Sequence, residues 1–256
     1  MGKRETNQDY VATFINQTQQ VLAVLCDGMG GHNAGDIASE MAVLQLGNSW
    51  KQSSFEASEI KQAEAWLTEH INEENKRIFD AATVFHDLHG MGTTLVAAVL
   101  FEETTLIANI GDSRAYIIEE TGLTRVTEDH SFANELKLTG QISEEEAMTH
   151  EKRNTLTRSL GVGTTVKIDF FYVSNFNKKF LLLCSDGLSN AVSEQQMSQI
   201  LIQHSDEQTK ADQLINKAIE QEAADNATLC LIHLEADKRM VTEAGSLEGG
   251  AADGNR

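Results

Sequence analysis

Val21-Leu22-Ala23-Val24-Leu25-Cys26-Asp27-Gly28 and Phe180-Leu181-Leu182-Leu183-Cys184-Ser185-Asp186-Gly187 decide the fold. Each is an apolar run that stops abruptly at Asp-Gly, the pattern of a buried strand delivering a carboxylate to its tip. A charge beside an apolar core is costly unless it is paired or bound to metal. The two tips lie about 160 residues apart in the chain, so only the fold can join them. A divalent cation gives them a reason to meet.

Outward from these runs, the pattern alternates short strands with pairs of helices. Strands are expected at 11–15 and 21–26, then helices at about 35–50 and 58–82. Ile37, Met41, Leu44 and Leu46 mark one face of the first helix. Ile60, Ala63, Leu67, Ile71 and Ile78 mark the second. Strands at 93–101, 105–110 and 113–119 follow, and their short connections imply antiparallel hairpins. Residues 127–163 lose the strand pattern and read as an inserted flap with short helices at 131–139 and 143–149. Strands resume at 166–173 and 179–185, then helices at 193–203 and 207–223, and a last strand at 227–234. Residues 1–236 are thus expected to form one catalytic domain, with 237–256 a disordered Gly/Ala/Glu-rich tail. Two groups of antiparallel strands, each followed by two helices, predict an α+β fold: a four-layer α-β-β-α sandwich around two central antiparallel sheets.

The chain has 256 residues and a net charge of −19, which argues against a nucleic-acid partner because phosphate binding needs clustered Lys and Arg. Cys26, Cys184 and Cys230 each sit inside an apolar run, with no CxxC pair. They read as buried thiols suited to a reducing cytoplasm. No apolar run reaches the ~18 residues of a membrane span, and no signal peptide is recognised. A monomer is the default expectation.

Five aspartates stand at strand ends or turns: Asp9, Asp27, Asp112, Asp186 and Asp225. Hard cations such as Mn²⁺ and Mg²⁺ prefer carboxylates, carbonyls and water, and aspartates without clustered His or Cys match that preference. Gly28 has no side chain, so its carbonyl can approach an ion. Any one Asp-Gly or Asp-Asn pair alone would be read as a turn. Five at strand boundaries favour a metal site. Arg4, five residues before Asp9, suits a phosphate oxygen. His32 either donates a proton to a leaving group or fixes its loop, while His130, His150 and the Thr93-Thr94 hydroxyls read as structural. Arginine does not stand six residues after any cysteine, D-x-D is absent, and so is a P-loop, which excludes three other phosphoryl-transfer chemistries.

Eight ordered blocks carry a family resemblance: RETNQD (4–9), CDGMGGHNAGDIAS (26–39), MGTTLVAAVL (91–100), IGDSRAY (110–116), TEDHS (127–131), RNTLTRSLG (153–161), LLLCSDGLSN (181–190) and DNATLCLI (225–232). The chain resembles the type-2C metal-dependent protein phosphatases (the PPM family), in their compact bacterial form, over about residues 3–235.

The resemblance implies hydrolysis of phosphoserine and phosphothreonine by a two-metal-activated water, with no covalent enzyme intermediate. By matching motif, Asp27 bridges two Mn²⁺ or Mg²⁺ ions and the Gly28 carbonyl binds one of them. Asp186 and Asp225 bind the other, Asp9 acts through water, Arg4 holds the substrate phosphate, and Asp112 helps bind a weaker third metal. A cognate Ser/Thr kinase sharing the phosphoprotein substrates is also implied. Three departures stand out: Met29 replaces the histidine of eukaryotic members, Asn190 replaces an acidic third-metal ligand, and the edge strand that precedes the arginine in relatives is not in this sequence. A catalytically silent phosphoprotein-binding module on the same fold is the alternative, and a nucleotide phosphodiesterase a weaker third reading.

Overall fold

The computed structural model describes residues 4, 6–31, 34–234 and the backbone of 241–245. His32 and most of the expected tail lie outside the described residues. Among those described, the strands form two antiparallel sheets. The first contains β1 (Asp9–Ile15), β2 (Val21–Met29), β3 (Gly92–Thr93), β4 (Leu95–Leu100), β5 (Thr104–Ile110) and β8 (Asp169–Ser174), in the order β1-β2-β4-β5-β8 with β3 on the end of β2. The second runs β11-β10-β9-β6-β7, from β6 (Arg114–Glu119), β7 (Gly122–Arg125), β9 (Phe180–Cys184), β10 (Thr228–His233) and β11 (Val241–Gly245). Helices α1 (Ala34–Trp50) and α2 (Ile60–Val84) follow β2. Helices α3 (Phe132–Leu138) and α4 (Glu144–Thr149) lie in the flap, and α5 (Asp186–Ala191), α6 (Glu194–Leu201) and α7 (Glu207–Glu220) follow β9.

Period-two alternation builds the layers. In β2, Leu22, Val24 and Cys26 face α1 and α2, while Ala23 and Leu25 face the other sheet. In β9, Phe180, Leu182 and Cys184 face the second helical layer, while Leu181 and Leu183 face back. Three apolar interlayers result, which is what four layers require. The three cysteines fall one into each interlayer, all buried. Burial pushes the Cys184 thiol up to about 12 and Cys26 higher still, so neither is a nucleophile.

The helices start where their sequences supply a cap. Ser143 with Glu146 and Ser193 with Gln196 close capping boxes on α4 and α6, and Asp206 accepts from the Thr209 amide on α7. Helix α2 buries Ala63, Leu67, Ile71 and Ile78 as its periodicity predicts. Helix α1 follows the expected face only in part: Leu46 is buried and Met41 packs against the core. Its buried stripe is Ala34, Ala38, Ala42, Leu46 and Trp50, and Ile37 is exposed. Small residues let this helix lie close on the sheet; a Cβ on its Gly47 would come within 2.1 Å of the Phe14 ring.

Three further elements differ from the sequence pattern. Strand β7 has no counterpart among the expected strands; it pairs with β6 from Tyr116↔Arg125 to Glu119↔Gly122. Helix α5 begins at Asp186 itself, where the pattern predicts a strand tip followed by a loop. Within the expected tail, residues 241–245 pair with β10 from Ile232↔Val241 to Thr228↔Gly245. The open edge of β10 offers backbone donors and acceptors that a following segment can satisfy, and composition alone does not register that opportunity.

Candidate metal and phosphate site

Antiparallel register brings the aspartates to one end of the sandwich. Asp9 opens β1 and stands directly across from Asp27 in β2. Asp186 follows β9 by one residue, and Asp225 precedes β10, the neighbour of β9. Asp112 lies in the turn that leads from β5 in the first sheet to β6 in the second. Four strand ends and a crossover turn thus meet at one corner, drawn from both sheets.

Both glycines of the Asp-Gly pairs are required by close backbone approach. A Cβ on Gly28 would sit 2.0 Å from the Gly35 carbonyl oxygen, where β2 meets α1. A Cβ on Gly187 would sit 1.9 Å from the Asn226 carbonyl oxygen, where α5 meets the loop before β10. Those contacts hold each carboxylate against the next element.

Two residues that the sequence pattern does not single out organise the corner. Ser185 Oγ donates to Asp9 Oδ2 at 2.8 Å and accepts from the Thr228 amide at 3.0 Å, joining the first sheet to the second. Asn226 Nδ2 donates to the Thr6 carbonyl at 3.1 Å, and its Oδ1 accepts from the Gln8 amide at 3.0 Å. Asn226 therefore holds the segment between Arg4 and Asp9 against the aspartate beside it in sequence. The only sequence signal for either is its position next to a candidate aspartate.

The electrostatics are those of uncompensated charge. Asp9 is buried, and desolvation pushes its carboxyl up to about 7 against the Ser185 hydrogen bond and the nearby Thr228 hydroxyl, with Asp186 and Asp225 adding to the rise. Asp27 is held well above the carboxylate range by burial, then by Asp9, Asp186, Asp112 and Asp225. Burial also raises Asp112 and Asp186, with Asp186 and Asp225 respectively the next contributors. Like charges facing each other across a strand pair are destabilising, and Asp9 opposite Asp27 is such a pair.

Arg4 donates to Asp225 Oδ2 at 2.8 Å, and Asp225 Oδ1 accepts from the Asn226 amide at 2.9 Å. Arg4 is 57% exposed, so this ion pair contributes little to stability. Asn190 donates to Asp186 Oδ2 at 3.1 Å. Met29 ends β2.

The donor set fits a hard cation. It is all oxygen, and among the described residues both Asp9 Oδ1 and Asp186 Oδ1 are buried without a hydrogen-bond partner. Such orphaned acceptors call for an ion or water. Among the described residues no three acidic, His or Cys side chains stand as a finished ligand shell. Asp186 Oδ2 accepts from Asn190, and Asp225 Oδ2 from Arg4. A groove of ≈ 880 Å³ lies at the other end of the sandwich, lined by Glu102, Glu103, Glu119 and Glu120 with Lys178 and Lys179. It shares no residue with the aspartate corner, and its lysines pair with Glu119 and Glu120, so chemistry rather than volume identifies the site.

The family model for protein phosphatase 2C matches residues 2–222. The serine/threonine phosphatase stp of Listeria welshimeri is 46% identical over 231 residues, covering 90% of each chain. The crystal structure of the serine/threonine phosphatase Stp1 from Staphylococcus aureus superposes with a TM-score of 0.86 at 38% identity, covering 96% of this chain and 91% of that one. The catalytic domain of the phosphatase PstP, solved in complex with 2 manganese ions, gives a TM-score of 0.75 at 30% identity over 89% of this chain and 91% of that one. The chain belongs to the protein phosphatase 2C family.

Proposed function

We propose that the aspartate corner holds two divalent cations, Mn²⁺ or Mg²⁺, and that Arg4 presents a phosphoserine or phosphothreonine side chain to them. The chain is a metal-dependent protein serine/threonine phosphatase, as its family and relatives indicate. The observation that carries the site reading is the convergence of five aspartates from both sheets, two with orphaned buried oxygens, beside one arginine. Asp27 and the Gly28 carbonyl would hold one ion, Asp27, Asp186 and Asp225 would hold the other, and Asp9 would act through water at the site. Asp112 is assigned to a weaker third site.

When bound, the cations polarise the phosphoryl oxygens and make water a competent nucleophile near neutral pH. The chain's own residues supply the rest. Arg4 has five N–H donors and spends one on Asp225 among the described residues, so its fork retains donors for a phosphoryl oxygen. That contact offsets charge developing on the phosphoryl group. Burial raises the carboxyls of Asp9, Asp27, Asp112 and Asp186, and a bound cation would favour their ionised forms, so metal loading and proton release are coupled. Met29 has no proton to give, so the leaving group is not protonated from that position.

The silent-module alternative would be supported by the loss of an aspartate, and all five are present. We further propose a cytoplasmic monomer acting against a Ser/Thr kinase that phosphorylates the same proteins. Cysteines buried in apolar layers are consistent with a reducing compartment. No helix among the described residues is long and apolar enough to cross a membrane.

Turnover of a phosphothreonine peptide with Mn²⁺, with Mg²⁺ and with EDTA tests the reading. Activity is expected with metal and lost on chelation. Turnover that survives EDTA, or that persists in Asp186→Asn, overturns it.

A further inference from the structure

Two hydroxyls that the chemistry above does not use lie directly behind the aspartates. Thr94, between β3 and β4, and Ser113, just before β6, are both buried. Thr94 Oγ1 accepts from the Asp27 amide at 2.9 Å and shares a 2.7 Å hydrogen bond with Ser113 Oγ. The Thr94 amide donates to the Asp27 carbonyl at 2.9 Å, and Thr93 Oγ1 donates to the same oxygen at 2.9 Å. Both backbone polar groups of Asp27 are therefore held by this threonine pair. Ser113 is bonded in sequence to Asp112 and leads into the other sheet.

The turn is pressed onto Thr94 as closely as a backbone allows. Gly111 has φ +102°, and a Cβ there would lie 2.6 Å from Thr94 Cγ2. The same Gly111 is anchored on its far side, its amide donating to His130 Nδ1 at 3.0 Å and its carbonyl accepting from the His130 amide at 2.9 Å. Elsewhere the sheets meet mainly through apolar side chains such as Leu25, Val96, Ile117 and Leu183. Apolar burial is non-directional and does not register one sheet on the other to a fraction of an ångström, whereas a hydrogen bond does. Metal ligands need placement within about 0.5 Å.

We propose that the Thr94–Ser113 hydroxyl pair is a cross-sheet strap that sets the spacing of Asp27 and Asp112, and with it the affinity of the corner for its divalent cations. Both are positioning residues. The inference rests on the assignment of the aspartates to metal binding.

Mn²⁺ binding to the full chain, titrated calorimetrically and by electron paramagnetic resonance, tests it. Thr94→Val keeps the side-chain shape and removes Oγ1, and Thr94→Ser keeps the hydroxyl. Loss of one buried hydroxyl contact is expected to weaken Mn²⁺ binding about ten-fold in Thr94→Val, with Thr94→Ser close to wild type. Ser113→Ala, which adds no volume, is expected to match Thr94→Val, and the double variant to be no weaker than either single one. The kcat at saturating Mn²⁺ is expected to change less than the Mn²⁺ midpoint. Unchanged Mn²⁺ binding in Thr94→Val or, where that variant fails to fold in EDTA, in Ser113→Ala overturns the strap. So does a Thr94→Ser variant as weak as Thr94→Val. A wild-type chain that binds no Mn²⁺ overturns the metal reading itself.

Discussion

The two Asp-Gly corners share a dipeptide and differ in what surrounds it. At the first, Asp27 stays inside a strand: β2 runs on to Met29, and Asp27 faces Asp9 across the ladder. At the second, the strand ends at Cys184 and Asp186 is the first residue of α5. The first carboxylate is surrounded by others, its backbone gripped by Thr93 and Thr94. The second accepts from Asn190 one helical turn on. What they have in common is the glycine, and in both cases a neighbouring carbonyl oxygen sits where a Cβ would be. The dipeptide is therefore a device for close approach of two elements, and the backbone conformation is free to vary around it.

The ground beneath the corners differs too. Behind the second, Arg114 is bidentate to Asp129, with contacts of 3.0 and 2.7 Å, and Arg125 reaches the same carboxylate at 2.5 Å. Behind the first, α2 carries a buried carboxylate, Glu74, whose Oε2 lies 3.4 Å from the exposed Arg77. Burial pushes Glu74 up to about 7, offset by Arg77 and assisted by Glu73.

The largest test of the comparison is to neutralise each corner in turn. Asp27→Asn and Asp186→Asn are each expected to lower kcat roughly 10²–10³-fold or more, and Asp27→Asn the further, because only it is assigned to both ions. Phosphopeptide turnover at saturating Mn²⁺ measures this; equal losses would mean the corners are equivalent. Next, Gly28→Ala and Gly187→Ala are each expected to destabilise by about 3 kcal/mol or more, since a backbone atom must move. Urea melts with and without Mn²⁺ measure that, and a neutral result at either site would show that its close approach can relax.

Glu74 distinguishes the ground beneath the corners by pH. Its folded pKa, about 7, lies above its ordinary 4.5, so the folded state holds the proton longer. Stability is therefore full below about 4.5, falls as pH rises, and levels off above about 7, a loss on the order of 2–3 kcal/mol. Glu74→Gln is expected to remove that slope, giving a variant more stable than wild type at pH 8 and similar at pH 4.5 by urea denaturation. Parallel slopes in the two proteins would rule Glu74 out as the source. The smallest effect is expected at Ser185→Ala, which removes the donor to Asp9 Oδ2: about 1–2 kcal/mol, with the Mn²⁺ requirement rising and kcat little changed.

Much of the fold and of the site is legible in the sequence. Period-two runs mark the strands, three-to-four spacing marks α2, and the five aspartates stand out because each interrupts or bounds an apolar run. The places where the pattern misleads have a common cause. Hydropathy misplaces part of the α1 face because Ile37 is more hydrophobic than the Ala34, Ala38, Ala42 stripe that actually lies on the sheet; proximity favours small side chains over oily ones. β7 and 241–245 leave no signal because an edge strand needs only one partner and little apolar content. Thr94, Ser113, Ser185 and Asn226 pass as ordinary polar residues because a hydroxyl or amide declares its partner only once that partner is in place.

Residue chemistry alone sets the kinds of atoms available: five carboxylates without a competing thiolate or imidazole cluster, one arginine, and the strands that carry them. That follows from local chemistry, since hydropathy period and ligand hardness are properties of residues. Three relations come from packing alone: Asp9 stands opposite Asp27, Asp186 and Asp225 lie beside the ends of adjacent strands of the other sheet, and Thr94 and Ser113 bridge the two sheets. Those relations depend on register between segments as far as 220 residues apart, and register is set by packing and hydrogen bonding across the whole molecule rather than by any one stretch of chain.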